Sequence, residues 1–284
     1  MNARKPSRHT IKRGRTRKND PKPSLALPMS APLQDALEGA YRAFARVPCP
    51  SHMDASPLRD GEQIHRVLTS APLRDLTAEQ IGPYSGWAVT TVGPAQDYRH
   101  FLPRILELAL RDPVWLGAIP AVIAEKLMRS NWRSWAPTQQ RAIVSVFESA
   151  FMWAIEQLPD DGSSAPDAWL CGMASLNAPI MPLLSAWMGS PSPNAALQLS
   201  AFIESSLPAI NTDDAISGPF CDLVDLISRQ VAALWLRSQG VQQCLKSAIE
   251  NVAVEDRSRV ETALRMTETK PSANREIQEL RDKG

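Results

Sequence analysis

Apolar residues along this chain recur every three or four positions, the spacing that gathers them on one face of an α-helix. The clearest runs lie at residues 33–45, 98–111 and 137–158, and no stretch alternates apolar and polar positions as a strand does. Proline-rich joints separate about eleven such segments, which show no fixed repeat. The pattern predicts an all-α protein, either an irregular multi-helix bundle or a HEAT-like helical stack.

Several helix ends carry local signals. Thr77 and Gln80 form a capping box, in which each side chain satisfies a free amide of the first turn. Asp97 and Asp167 precede apolar helical segments and are predicted to be N-caps. Pro83 follows in the segment that Thr77 begins, and it is expected to interrupt or end that helix because proline has no amide hydrogen.

Three parts are expected along the chain. Residues 1–24 have no apolar period and are predicted to be a disordered arm, since they cannot bury enough surface to offset the entropy of ordering. Residues 25–267 are predicted to form the helical domain, with a candidate sub-boundary at the polar run 159–166. Residues 268–284 are expected to fray or to form a weak helix.

The net charge of +1 conceals an uneven distribution, because residues 1–24 hold nine Lys and Arg against a single Asp. The rest of the chain is therefore net negative. The cations of the arm are Arg4, Lys5, Arg8, Lys12, Arg13, Arg15, Arg17 and Lys18, followed by Lys22. A cationic arm without aromatic residues suits contacts to phosphates rather than to bases. The arm is interpreted either as a solubilising tail or as a nonspecific nucleic-acid contact.

The apolar runs and the cysteines bear on the compartment. No run approaches the roughly 20 apolar residues of a membrane-spanning helix, so no membrane association is expected. The four cysteines are far apart, which is typical of reduced thiols rather than of a disulfide framework. These features indicate a cytoplasmic protein.

Motifs that carry chemistry are sparse. The turn Cys49-Pro50-Ser51-His52 has half of a zinc-site spacing, but a structural zinc needs four ligands. The turn is therefore interpreted as carrying an incidental thiol. The sequence contains no Gly-rich phosphate loop and no paired cysteine knuckle. No metal, no cofactor and no catalytic residue is assigned.

One cluster of polar residues remains as a candidate site, formed by Asp97, Tyr98, His100 and Arg104. Three of its members lie at positions i, i+3 and i+7 and so line one helical face. The cluster lacks a nucleophile with a base and an orienting group. The favoured interpretation is a helix cap followed by the solvated stripe of an amphipathic helix, and an enzyme site is the alternative.

The segments PLRDLTAEQI and YRHFLPRILELA, together with WRSWAPTQQRAIVSVFESAFMWAI, resemble a family of uncharacterised bacterial proteins. The resemblance covers residues 42–190 and rests mostly on apolar and capping positions. It implies a bacterial, helical protein and no particular chemistry.

Three functions are compatible with these features. An acidic helical body without chemical motifs favours a non-catalytic protein–protein interaction module, such as an adaptor or an immunity-type component. An accessory nucleic-acid-binding protein that uses the basic arm is the first alternative. An enzyme with its site at residues 97–104 is the second.

Overall fold

The computed structural model describes residues 28–110, 116–159, 165–210, 213–217 and 224–268. Within these ranges the chain forms α-helices and short 3-10 turns, and its extended pairings are isolated bridges such as the one between Ala55 and Val92. The predicted all-α class is confirmed. The basic arm, the tail from residue 269 onward and residues 160–164 of the candidate sub-boundary lie outside the described residues.

The bounds of the described helices follow the apolar periodicity of the sequence. In chain order they are α1 (Ala31–Phe44), α2 (Gly61–Leu68), α3 (Ala78–Trp87), α4 (Ala95–Leu108), α5 (Pro120–Arg129), α6 (Pro137–Ala154), α7 (Pro166–Ser175), α8 (Met181–Gly189), α9 (Pro193–Ser206), α10 (Leu226–Leu236), α11 (Gln239–Ala248) and α12 (Arg257–Glu268). Over the described ranges, every helix is too short or too polar to cross a bilayer.

The longest of these helices, α6, lies at the centre of the packing. It contacts α1, α7 and α8, while α5 packs on α7 and α12 packs on α9 and α11. Its buried side chains recur at three- and four-residue spacing and include Ile143, Val146, Phe147, Ala150, Phe151 and Ala154. One apolar core therefore extends through the described helices, from Leu33 of α1 to Ala263 of α12.

Aromatic rings connect α6 to α8, α9 and α10. Phe151 meets Trp187 edge-on, with ring centroids 5.5 Å apart, and Trp187 stacks on Phe202 at 5.6 Å. Trp235 of α10 approaches the same Trp187 at 5.8 Å. Because such ring pairs contribute about 0.5–1.5 kcal/mol each beyond burial of their area, this group fixes the position of α10 on the core.

The predicted helix starts are partly confirmed. The capping box at Thr77 is present. Asp97 is not an N-cap, because α4 begins after the extended backbone of Pro94 and Asp97 is its third residue. Asp167 is not an N-cap either, because Pro166 occupies the first helical position and Asp167 the second. Proline presets the backbone angle of a first helical residue, which explains the earlier start of α7.

The break expected at Pro83 is wrong, since α3 continues through it to Trp87. Proline costs this helix the one hydrogen bond that its missing amide would have donated. Ile81 and Tyr84 are buried on either side of it, and this burial keeps the segment against the core. Ser85 adds a hydrogen bond of 2.7 Å from its hydroxyl to the Gly82 carbonyl.

Candidate functional site

Two of the four residues predicted as a site, Asp97 and His100, lie beside the loop that follows α1, and their charges interact. The Nδ1 atom of His100 lies 3.0 Å from the carbonyl oxygen of Val47, in the loop that follows α1. The Asp97 carboxylate packs so closely on Gly93 that a Cβ atom there would be 2.9 Å from its Oδ2. Burial raises the pKa of Asp97, and the nearby His52 opposes this effect.

The other two predicted residues have different surroundings. Tyr98 is fully buried, and its hydroxyl has no hydrogen-bond partner within the described ranges. Arg104 donates through Nε to the Leu76 carbonyl at 2.8 Å and through Nη1 to Glu107 at 2.6 Å. Tyr41 of α1 donates to the same Glu107 carboxylate at 2.6 Å. Arg104 therefore belongs to a network that ties α4 to α1.

The turn with the half-zinc spacing is held by histidines rather than by a metal-ligand geometry. The Nε2 atom of His65 lies 2.9 Å from the Pro50 carbonyl oxygen, and His100 holds the start of the same loop. Burial and the charge of Asp97 raise the pKa of the Cys49 thiol, which lowers its thiolate fraction. In the part of the chain that the structure describes, no three His, Cys, Asp or Glu side chains are grouped as metal ligands.

A cavity of about 290 Å³ lies between α7, α9 and α10. Most of its wall is apolar and includes Leu170, Ala174, Phe202, Ile216, Val224 and Ala232. Asp167 and Arg229 bring opposite charges to the same wall. An apolar pocket with a few polar groups is the usual form of a small-molecule site.

The two charges of the cavity do not neutralise each other. The Nε–H group of Arg229 is buried and has no acceptor among the described residues. No ion pair with a nitrogen–oxygen distance of 4.0 Å or less joins Arg229 to Asp167 in the described ranges. Burial raises the pKa of Asp167, and the backbone amides at the start of α7 oppose this effect.

The helix α10 lines this cavity through Ser228, Arg229 and Ala232 and has two distinct faces. Its inner face carries the buried residues Ala232, Ala233, Trp235 and Leu236. Its outer face carries Ile227, Val231 and Leu234, which follow one another at i, i+4 and i+7. Ile227 and Leu234 are 71% and 65% exposed, respectively. Large aliphatic side chains in a row on a solvent face are typical of an interaction surface.

Sequence reasoning missed both the cavity and the outer face of α10. One signal was available, because Arg229 precedes the buried residues Ala232 and Leu236 by three and seven positions. Helical periodicity alone therefore places a cation on the buried face of α10. The cavity itself depends on how α7 and α9 approach α10, which periodicity does not define.

No protein-family model, no curated protein and no solved structure matches this chain. The cations predicted to contact nucleic acid, from Arg4 to Lys18, lie outside the described residues. Function is therefore inferred from the side chains of α10 and of its neighbours.

Proposed function

We propose that the chain is a non-catalytic helical module that binds another protein through the outer face of α10. The observation that carries this proposal is the exposed pair Ile227 and Leu234, with the half-buried Val231 between them on the same face. Apolar residues at i, i+4 and i+7 match the facing residues of an amphipathic helix. The partner is accordingly expected to present a helix with its own apolar face.

The position of α10 supports this function. Trp235 packs against Trp187, and Ala233 and Leu236 are fully buried, so the inner face of the helix is attached to the core. The outer row is thereby presented on a preorganised support, which reduces the entropy lost on binding. Burial of each large aliphatic side chain in a complex contributes about 1.5–3 kcal/mol.

The test uses the full chain with a photoreactive residue at position 231, on the proposed surface. Val254 is the matched control position, because it is apolar, 73% exposed and outside α10. We expect one protein of the source organism to cross-link from position 231 and not from position 254. The double substitution Ile227→Asp and Leu234→Asp should weaken that complex at least a hundredfold, from the loss of two buried aliphatic side chains.

Two outcomes count against the proposal. Equal cross-linking from positions 231 and 254 indicates nonspecific contact. Cross-linking only to a second copy of the chain, with a dimer in sedimentation that the double substitution dissociates, assigns the surface to self-association instead.

A further inference from the structure

The cavity between α7, α9 and α10 has the size and lining of a site for a small ligand. Its volume of about 290 Å³ is at the lower end of the range for ligand pockets, roughly 300–1,000 Å³. Leu170, Phe202 and Ile216 line it and offer aliphatic and aromatic surface. The space therefore suits a compact molecule with an apolar body.

Arg229 lines this cavity, makes no ion pair within the described residues, and has a buried Nε–H group without an acceptor there. Arginine stays charged in proteins, and a buried guanidinium group without a full set of acceptors is unfavourable. An anionic oxygen placed against the guanidinium group would form a charge-assisted hydrogen bond. Arg229 thus selects for a negative group on the ligand.

Four serines line the wall, and the hydroxyl groups of all but Ser206 donate to other groups of the protein. Ser205 donates to the Phe202 carbonyl at 3.1 Å, and Ser217 donates to the Ala209 carbonyl at 2.7 Å. Ser228 donates to the Asp225 carboxylate at 2.6 Å. Because these hydroxyl hydrogens are already used within the protein, a polyol or sugar would find few donors here.

Asp167 does not select for a cation either. Its carboxyl group lies at the backbone amides of the first turn of α7, which already stabilise its charged form. Burial raises the pKa of Asp167, which opposes that stabilisation. Arg229 is therefore the group of the cavity that sets the preference for an anion.

We propose that this cavity binds a small amphiphilic carboxylate, with its apolar body among Leu170, Phe202 and Ile216 and its carboxylate on Arg229. The site lies on the inner face of α10, opposite the proposed docking surface, and it does not depend on that surface. Arg229 is part of α10, the helix that presents Ile227 and Leu234. A ligand that binds Arg229 therefore also stabilises α10.

The test compares two acids with their neutral and cationic counterparts on the full chain. Isothermal titration calorimetry is carried out with octanoate and benzoate, with octan-1-ol and benzyl alcohol, and with octylamine. We expect an acid to bind at least tenfold more tightly than the alcohol of the same carbon skeleton. The reason is that the carboxylate can form a charge-assisted hydrogen bond with Arg229. The acid should also raise the melting temperature of the protein.

Substitutions locate the binding. Arg229→Gln should weaken binding of the acid at least tenfold and leave the alcohol unchanged. Arg237→Gln is the matched control, since Arg237 follows α10 and pairs with Asp214 rather than lining the cavity. Ala174→Leu fills the cavity and should abolish binding of acid and alcohol alike, with retained helical circular dichroism as the check on folding.

The proposal is overturned if neither acid binds at millimolar concentration. It is also overturned if the alcohols bind as tightly as the acids, if octylamine binds most tightly, or if Arg229→Gln has no more effect than Arg237→Gln. None of these outcomes bears on the cross-linking from position 231, so this proposal and the docking surface fail separately.

Discussion

Lys126 and Arg229 are both cations on helices that pack into the core, but their surroundings differ. The Nζ atom of Lys126 donates to the carbonyl oxygens of Gly86 and Ala88, at 3.0 and 2.7 Å, and so satisfies the end of α3. The Nε–H group of Arg229 has no acceptor among the described residues. One cation completes the fold, whereas the other is left with an unused donor at a cavity.

The same contrast holds for the acidic residues of the two regions. Glu107 accepts from both Tyr41 and Arg104, at 2.6 Å in each case. Asp167 has no cation within ion-pair distance in the described ranges. Glu107 is therefore assigned to structure, whereas Arg229, which lines a cavity and has a buried donor without an acceptor among the described residues, is assigned to a ligand.

The largest expected effect separates the two cations directly. Lys126→Met removes the donor that serves the buried Ala88 carbonyl and the partly buried Gly86 carbonyl, so it should lower the free energy of unfolding by about 3 kcal/mol. Urea denaturation followed by tryptophan fluorescence measures this change.

Arg229→Met is the matched substitution at the cavity. It removes a buried donor that has no acceptor, and it should therefore change the free energy of unfolding by less than about 1 kcal/mol, or raise it. An equal loss for Lys126→Met and Arg229→Met would show that Arg229 is as fully used by the fold as Lys126 is, and the contrast between the regions would disappear.

A smaller effect tests the network around Glu107. A double-mutant cycle with Tyr41→Phe and Glu107→Gln should give a coupling energy of about 1 kcal/mol, because their hydrogen bond is partly shielded from solvent. The matched pair is Arg74 and Glu38, whose side chains are 51% and 49% exposed. Its coupling should stay below about 0.5 kcal/mol, and the reverse order of the two values would contradict the assignment.

Much of the helical framework could be predicted from local sequence. The capping box at Thr77 needs only residues within one turn, and it is present. Two tryptophans three positions apart, between helical segments, favour a packing role, and Trp132 and Trp135 are both buried. Such features depend on neighbours in sequence, which periodicity and capping rules describe well.

The predictions were wrong or incomplete where a nearby proline set the start of a helix, or where the partner of a side chain lies far away in the sequence. Asp97 has the chemistry of an N-cap, but Pro94 begins the helix earlier and turns the Asp97 carboxylate towards Gly93. Lys126 and Arg229 both look like misplaced cations on apolar faces. Whether such a cation finds acceptors depends on segments 38 or more residues away, as with the Ala88 carbonyl for Lys126. The interaction function and the role of the basic arm stay predictions.

The smallest expected effect is a difference in pH dependence between Asp167 and Asp225. The pKa of Asp167 is raised in the folded protein, so its stabilisation is present below the unfolded pKa near 3.8 and is lost as pH rises through the folded value. Asp167→Asn should therefore gain stability relative to the parent chain as pH rises from about 3 to 6.

Asp225 is the matched control with the opposite sign, because hydrogen bonds from Ser228 lower its pKa and its stabilisation is lost as pH falls. The urea midpoint of each variant is compared with that of the parent chain at about pH 3 and about pH 6. The contributions of the other titrating groups cancel in each comparison. If both substitutions changed with pH in the same direction, burial would not dominate the pKa of Asp167, and the contrast between the two carboxyl groups would disappear.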